Sequence, residues 1–202
     1  MKLYFIRHGE SEANVQKVFS NRGIKHGLTS KGILQAEEAS KQLYEYKINQ
    51  IYSSPLLRAQ QTTRILHKVL NNCPVKIANE LREADTGFED EIYENCWLQH
   101  IELVNQWLSG INHERKINDG ENFNDIKKRF LPFINKILEK GDDALLVSHG
   151  CIYKLMYPEI MENIDYNFAK EKNLSNCDIV IAEIKNKKLY CTNWCGEKIE
   201  KL

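Results

Sequence analysis

Polar residues of the types that bind and transfer phosphoryl groups follow three short apolar runs of this 202-residue chain. Arg7 and His8 follow the first run, Arg58 comes shortly after the second, and His149 follows the last. A guanidinium group matches phosphate oxygens in bidentate fashion, and a neutral histidine held in one tautomer is a competent nucleophile. These residues therefore predict phosphoryl transfer, with one histidine attacking phosphorus and the other donating hydrogen bonds to the phosphoryl oxygens.

The apolar runs predict the strands that would bring these residues together. Residues 3–6 and 144–147 are continuously apolar, as strands covered on both faces require, and stretches of helical period lie between the runs. The closely connected runs 178–184 and 188–194 predict an antiparallel hairpin. The expected fold is α/β: a three-layer α/β/α arrangement with a mixed, mostly parallel sheet and an antiparallel C-terminal strand pair.

Parallel strands place their carboxyl ends at one edge of a sheet, where ligands bind in open α/β folds. We therefore expect residues 7–11, 53–58 and 148–150 to converge, although each segment alone has a commoner interpretation as a turn or an exposed helix. Ser54 and Pro55 are expected to start a helix as N-cap and first helical residue. The N-terminus of that helix would add backbone N–H groups to the anion site.

Length and charge narrow the class of protein. The length predicts a single domain over residues 1–202, with the less regular stretch at about 84–120 as an insertion flanking the active site. Lys and Arg number 28, as do Asp and Glu, and this balance argues against nucleic acid or a membrane surface as a partner.

The N-terminal apolar run is interrupted at Arg7, and no run approaches the roughly 18 residues of a membrane span. We therefore expect a cytoplasmic protein whose cysteines are thiols. The sequence contains no Walker loop, dinucleotide fingerprint or Asp-rich metal cluster, so neither a cofactor nor a metal is expected.

Residues 3–11, which read LYFIRHGES, resemble the signature of the histidine phosphatase superfamily, also called the phosphoglycerate-mutase-like family. The resemblance covers residues 1 to about 155, and the further matches occur in the family's order. They are Asn14, Leu28-Thr29-Ser30-Lys31-Gly32 with Gln35-Ala36, SPLLRAQQT at 54–62, Leu81-Arg82-Glu83, Gly120-Glu121 and Val147-Ser148-His149-Gly150.

The resemblance implies a role for each matching residue. His8 would be the nucleophile that becomes phosphohistidine, and Glu83 would protonate the leaving oxygen. The remaining residues would bind the phosphoryl group (Arg7, Arg58 and His149) or the phosphate and substrate (Asn14, Ser20 and Gly150). Asn21, Asn122 and Lys154 depart from the family's pattern, and these positions bear on substrate choice more than on the chemistry.

The residues alone leave the general acid open among six carboxylates. A phosphate dianion raises the pKa of a neighbouring carboxylic acid, which favours the protonated form that a general acid needs. The family's Leu-Arg-Glu pattern favours Glu83, while the others could belong to a solvated acidic loop. The six are Glu80, Glu83, Asp85, Glu89, Asp90 and Glu91.

The expected function is that of a phosphomonoesterase, a histidine acid-type phosphatase that hydrolyses a small phosphorylated metabolite. A phosphoglycerate mutase using the same phosphohistidine is the alternative, and the short chain and the acidic segment after Glu83 argue against it. A non-catalytic phospho-ligand-binding protein is a third interpretation, but such a protein would be expected to have lost a histidine or an arginine. A homodimer is left open as the oligomeric state. Four aromatic residues of the insertion could form a pocket wall or pack onto the sheet: Phe88, Tyr93, Trp97 and Trp107.

Overall fold

A computed structural model describes residues 1–70 and 73–199. Helices and strands alternate along the first part of the chain, and strands close the C-terminal part. A 3₁₀ turn at Asn79–Leu81 precedes the fourth helix. In chain order the elements are β1 (Lys2–Arg7), α1 (Glu12–Gln16), α2 (Ser30–Leu43), β2 (Gln50–Ser53), α3 (Leu57–His67), β3 (Val75–Ile77), α4 (Tyr93–Leu108), α5 (Phe123–Lys140), β4 (Ala144–Ser148), α6 (Gly150–Ile160), α7 (Tyr166–Glu171), β5 (Ile179–Lys185), β6 (Lys188–Trp194) and β7 (Glu197–Lys198).

The strands form one mixed sheet in the order β3-β2-β4-β1-β5-β6-β7. β1, β2, β3 and β4 are parallel to their neighbours among these four, whereas β5, β6 and β7 pair in antiparallel fashion. The predicted α/β fold with an antiparallel C-terminal strand pair is therefore confirmed. β4 lies between β1 and β2, so the three strands that precede the predicted site residues are immediate neighbours.

The continuous apolarity of β1 and β4 has the predicted cause, because helices cover both faces of the sheet. Phe5 and Leu146 point into a cluster that also contains side chains of α4, α5 and α6. Ile6 and Leu145 belong to a second cluster, which they share with α2 and α3. The three-layer arrangement follows from this alternation, since successive residues of a strand face opposite layers.

The start of α3 differs from the prediction. The helix begins at Leu57, with Leu56 extended at the N-cap, rather than at Ser54 and Pro55. The Ser54 hydroxyl accepts a hydrogen bond from the Leu56 N–H at 3.3 Å and also bonds to His149. The side chain predicted to cap the helix is thus used between two strand ends, and Arg58 still falls in the first helical turn.

α4 is the one helix within the predicted insertion as the structure describes it, and its two halves have different surroundings. Trp107, near its C-terminal end, is fully buried and stacks on Phe123 of α5 with ring centroids 6.1 Å apart. Phe88, just before the helix, is buried in a small cluster with Phe19 and Cys96. Trp107 and Phe88 are therefore packing residues. Within the residues that the structure describes, no helix combines the length and the apolar character of a bilayer span.

The packing of α4 makes a prediction about stability. Trp107→Ala should lower the free energy of unfolding by about 3–5 kcal/mol, because it removes a fully buried indole from a close-packed cluster. Urea unfolding followed by circular dichroism measures the change. Leu98→Ala on the same helix is the control: Leu98 is 84% exposed, and its replacement should change stability by less than about 0.5 kcal/mol. A loss below 1 kcal/mol for Trp107→Ala would show that α4 is not part of the main cooperative core.

Candidate active site

The ends of β1, β2 and β4 bring the three predicted segments to one edge of the sheet. Arg7 pairs in register with Ser148, and Ser53 pairs with Val147, so His8, Ser54 and His149 each follow directly on a paired position. A cavity of about 540 Å³ opens there, and its lining includes Arg7, His8 and Arg58. The predicted convergence is therefore present.

His8 is held in a single tautomer. Its Nδ1 lies 2.7 Å from the Gly9 carbonyl oxygen, which can only accept a hydrogen bond, so Nδ1 carries the proton. Nε2 accepts a hydrogen bond from Arg58 Nε at 3.1 Å and therefore bears the lone pair. Burial, together with the charges of Arg58 and Arg7, holds the pKa of His8 well below its ordinary value of 6.5. The side chain is a neutral imidazole with an unprotonated Nε2, which is the form a nucleophile needs.

The loop that follows His8 is fixed by residues of the matching sequence segments. The Gly9 N–H donates to Thr62 Oγ1 at 3.1 Å, and the Glu10 N–H donates to Gln35 Oε1 at 2.8 Å. At Gly32 in the first turn of α2, an added Cβ would lie 2.0 Å from the Glu10 carbonyl oxygen, so a glycine is required for this close approach. These contacts hold the His8 backbone against α2 and α3.

Two guanidinium groups lie beside His8, that of Arg58 buried and that of Arg7 partly buried. Arg58 is 5% exposed and donates through Nη2 to the Ser20 carbonyl at 2.8 Å. Burial lowers the pKa of Arg58 to about 10, against the opposing effect of Glu83, so the group stays charged at neutral pH. Arg7 donates through Nη1 to the Leu174 carbonyl at 2.5 Å.

His149 is fully buried, with its ring centroid 5.0 Å from that of His8. Its Nε2 lies 2.7 Å from Ser54 Oγ. Within the described part of the chain the Ser54 hydroxyl has no other acceptor, so we assign its proton to that bond and the proton of His149 to Nδ1. Burial and the nearby charge of Arg58 hold the pKa of His149 well below 6.5.

Three buried donors of the site have no acceptor among residues 1–70 and 73–199. They belong to both arginines and to the second histidine. The atoms are Arg7 Nε, Arg58 Nη1 and His149 Nδ1. An unsatisfied buried donor costs about 1–3 kcal/mol, so three such donors around one nucleophile indicate a site built for an oxygen-rich anion.

The side chain of Glu83 lies next to the N-terminus of α6. Its carboxylate accepts hydrogen bonds from the backbone N–H groups of Cys151 at 3.2 Å, Ile152 at 2.7 Å and Ala84 at 2.9 Å. The negative charge thus faces the positive end of a helix. Of the six carboxylates that the sequence left open, Glu83 is the one that lines the cavity.

An ion pair behind Glu83 fixes the segment that carries it. Arg129 bonds both oxygens of Glu121, through Nε at 2.8 Å and Nη2 at 2.9 Å, and also donates to the carbonyls of Glu80, Arg82 and Glu83. Burial opposes ionisation of Glu121, but the hydrogen bonds and charge of Arg129 outweigh it and lower the pKa of Glu121. Glu121 of the matching Gly-Glu pair, through Arg129, therefore holds the backbone of the matching segment 81–83 in place.

The other acidic residues of this segment hold a loop in place. Asp85 accepts from Arg22 Nε at 2.5 Å, and Glu89 accepts from the backbone N–H groups of Asn21 at 2.6 Å and of Arg22 at 3.1 Å. Asp90 pairs with Lys25. The loop after α1 is thereby tied down beside Arg58. Asp85 and Glu89 are therefore structural ties, whereas Asp90 and Lys25 form an exposed surface pair.

The three residues expected to contact substrate all line the cavity. Asn14 Oδ1 accepts hydrogen bonds from the N–H and hydroxyl of Ser11, while its Nδ2 makes none within the described residues. Ser20 is buried and contributes its carbonyl to Arg58. Gly150 lies against Arg7: a Cβ there would be 3.3 Å from Arg7 Nε, so glycine leaves room for the guanidinium.

Two residues of the site were missed from the sequence. Asn176 donates to the His8 carbonyl at 3.0 Å, and the Leu174 carbonyl holds Arg7 from the far end of the chain. No local pattern marks these residues, because each acts through a long-range contact. Asn21, which departs from the family's pattern, lines the cavity and has a buried Nδ2 without a partner in the described ranges. The described residues contain no group of three or more His, Cys, Asp or Glu placed to hold a metal ion.

Comparison with known proteins gives two kinds of relatives. The chain is 30% identical over 166 residues to an Escherichia coli K12 protein named adenosylcobalamin/alpha-ribazole phosphatase, covering 80% of this chain and 79% of that one. It is 26% identical over 199 residues to an Enterobacter sp. (strain 638) protein named "Probable phosphoglycerate mutase GpmB", covering 98% and 91% of the two chains.

Solved structures have the same fold. The alpha-ribazole phosphatase from Shigella flexneri has a TM-score of 0.79 at 25% identity, with the whole of both chains covered. A mycobacterial glucosyl-3-phosphoglycerate phosphatase has a TM-score of 0.81 at 19% identity, covering 97% of this chain and 99% of that one. The family model described as histidine phosphatase superfamily (branch 1) matches residues 3–196, nearly the full chain. With its sheet, its paired histidines and this match together, the chain belongs to the histidine phosphatase superfamily.

Proposed function

We propose that this protein is a phosphomonoesterase that hydrolyses a small phosphorylated metabolite through a phosphohistidine on His8. One observation carries the proposal: the bare Nε2 of neutral His8 lies among buried donors of Arg7, Arg58 and His149 that have no acceptor in the described chain. A phosphoryl group supplies both the electrophilic phosphorus and the oxygens that these donors need. The donors are in place before reaction, so little reorganisation is required as charge develops.

In the first step, Nε2 of His8 attacks phosphorus and the bond to the alcohol oxygen breaks. Arg7, Arg58 and His149 hold the equatorial oxygens, and Glu83 gives a proton to the departing alcohol.

In the second step, water replaces the alcohol. Glu83, now a carboxylate, takes a proton from the water as its oxygen attacks phosphorus of phospho-His8. Inorganic phosphate leaves, and His8 returns to its neutral form with the proton on Nδ1. The Gly9 carbonyl stabilises that Nδ1 proton throughout, which keeps Nε2 as the reacting nitrogen.

A phosphoglycerate mutase is the second candidate, and one observation favours it. Lys154, Lys170 and Lys172 line the cavity and have no carboxylate within ion-pair distance among the described residues, so they could hold a second anionic group. The acidic segment after Glu83 no longer opposes a mutase, because Asp85, Glu89 and Asp90 are tied to the loop at 21–25. Of the two relatives described above, one is named a phosphatase and the other a probable phosphoglycerate mutase.

The nucleophile is tested by replacing His8. His8→Ala should lower kcat/KM for phosphomonoesters by at least about 10³-fold, since the attacking atom is lost. Phosphate release is measured with a metal chelator present, because the proposed cations are side chains. His67→Ala, which replaces a histidine at the end of α3 outside the cavity, is the control. Retained turnover by His8→Ala would rule out His8 as the nucleophile.

The mutase alternative is tested in the same assay. With a bisphosphoglycerate primer, 3-phosphoglycerate should yield inorganic phosphate; 2-phosphoglycerate as the main product would make the protein a mutase.

The proton donor is tested by Glu83→Gln. We expect kcat/KM to fall by about 10²–10⁴-fold with alkyl phosphates. With 4-nitrophenyl phosphate, whose leaving group needs no proton, the loss should be at least about tenfold smaller. Glu80→Gln is the matched control, since its carboxylate lies outside the cavity lining. Equal losses with both kinds of ester would contradict a donor role.

The tautomer of His149 is tested by Ser54→Ala. Losing the hydroxyl that donates to Nε2 should allow both tautomers, and kcat should fall by about tenfold with a smaller change in KM. ¹⁵N NMR of the histidine ring reads the tautomer directly. Ser53→Ala removes a neighbouring buried hydroxyl, which donates to the Ser54 carbonyl, and is the control. An unchanged tautomer together with an unchanged kcat would show that Ser54 does not position His149.

A further inference from the structure

The cavity continues past the phosphoryl centre between α4 and the segment at 169–174. Tyr93, Trp97 and His100 lie on one face of α4, spaced four and three residues apart. Their rings stack in a row: Tyr93 and Trp97 have centroids 4.7 Å apart at 27°, and Trp97 and His100 have centroids 5.2 Å apart at 28°. The buried ring of Phe19 packs against Tyr93 and His100, with centroids 4.7 Å and 4.9 Å apart. We call Tyr93, Trp97 and His100 the aromatic wall.

Trp97 is the accessible member of the aromatic wall. It is 41% exposed, whereas His100 is 8% exposed and the other two tryptophans, Trp107 and Trp194, are 0% and 5% exposed. Burial lowers the pKa of His100 to about 4, with a further effect from Lys154, so His100 is an uncharged ring at neutral pH. Because Trp97 stacks between Tyr93 and His100, the wall offers neutral ring edges, against which a planar group of a ligand can pack edge-to-face.

A second wall of the same cavity is cationic. Lys154 donates to the Lys170 carbonyl at 3.1 Å and to Asn173 Oδ1 at 3.0 Å, and Lys172 is exposed beside them. No carboxylate lies within 4 Å of the ammonium groups of Lys154, Lys170 or Lys172 in the described residues. Glu83 is the one acidic residue in the described lining, and the backbone of α6 already binds it. The ammonium groups are thus available to an anionic group of a ligand.

We infer that this cavity selects phosphomonoesters whose alcohol part carries a planar ring and a second anionic group. The ring would pack edge-to-face against Trp97 of the aromatic wall, and the anion would contact Lys154 and Lys172. The inference rests on the proposed function, because it assumes that the phosphoryl group is bound at His8. A volume of about 540 Å³ falls within the range of small-molecule pockets and accommodates such an alcohol.

Four esters of primary alcohols separate the two features. Glycerol 3-phosphate has neither, 3-phosphoglycerate has the anion, benzyl phosphate has the ring, and 4-carboxybenzyl phosphate has both. We expect kcat/KM to rise about tenfold for the ring and severalfold for the anion. Trp97→Leu should reduce the preference for the ring at least about fivefold, and Lys172→Gln should reduce the preference for the anion. Comparing each variant with the parent on one ester cancels the intrinsic reactivity of that ester.

Leu98→Ala and Lys128→Gln are the matched controls, since both change exposed residues outside this cavity. Neither should alter the order of the four esters. Equal kcat/KM for benzyl and glycerol phosphates in the parent, or unchanged preferences in Trp97→Leu and Lys172→Gln, would overturn the inference.

A binding measurement separates this inference from the proposed function. In His8→Ala, benzyl phosphate should quench tryptophan fluorescence through Trp97, whereas inorganic phosphate should not, and the double variant with Trp97→Leu should show no quenching. Quenching without turnover by the parent enzyme would disprove the phosphatase and support the aromatic wall. Turnover without quenching or ring preference would disprove the aromatic wall and leave the phosphatase intact.

Discussion

The structure depends on keeping cationic groups buried next to a histidine that must stay neutral. Removing a guanidinium from water is costly unless it is hydrogen-bonded or paired, and Arg58 is 5% exposed with Glu83 as its opposing charge. The cost serves the chemistry, because the same burial and charge hold the pKa of His8 well below its usual value. A phosphoryl dianion would offset the repulsion between the charges of Arg7 and Arg58. Affinity for the phosphoryl group and readiness of the nucleophile therefore have a common electrostatic origin.

Such an arrangement needs a rigid frame, and each guanidinium beside His8 is held by a backbone carbonyl from outside its own helix or strand. Arg7 is held by the Leu174 carbonyl and Arg58 by the Ser20 carbonyl, while Arg129 holds the segment that carries Glu83. Fixing the side chains in this way places the donors before the substrate arrives, so less entropy is lost when it binds.

The sequence predicted the parts of the site that local pattern determines. Continuous apolar runs marked β1 and β4, and the segments after them marked His8 and His149. The helix predicted from Ser54 and Pro55 begins at Leu57, and the Ser54 hydroxyl bonds to His149, 95 residues away along the chain, a contact that no local pattern shows. The same limit applies to Asn176 and to the carboxylates Asp85 and Glu89: a charge pattern shows that residues are acidic but not which distant groups they bind. What the sequence could not supply was the pairing between segments.

The two ends of the cavity come from different parts of the fold, and this separation explains how one chemistry can serve different substrates. The phosphoryl centre is built at the ends of the central strands, where packing on both faces fixes the backbone. The aromatic wall comes from α4, and the lysines come from α6, from α7 and from residue 172 directly after α7. These parts carry exposed residues such as Trp97 and Lys172. In the proposed function, a change at Trp97 would alter what contacts the alcohol without moving the donors around His8. Because the charge balance of 28 against 28 averages over both regions, the local excess of positive charge that defines this cavity is visible only in the folded chain.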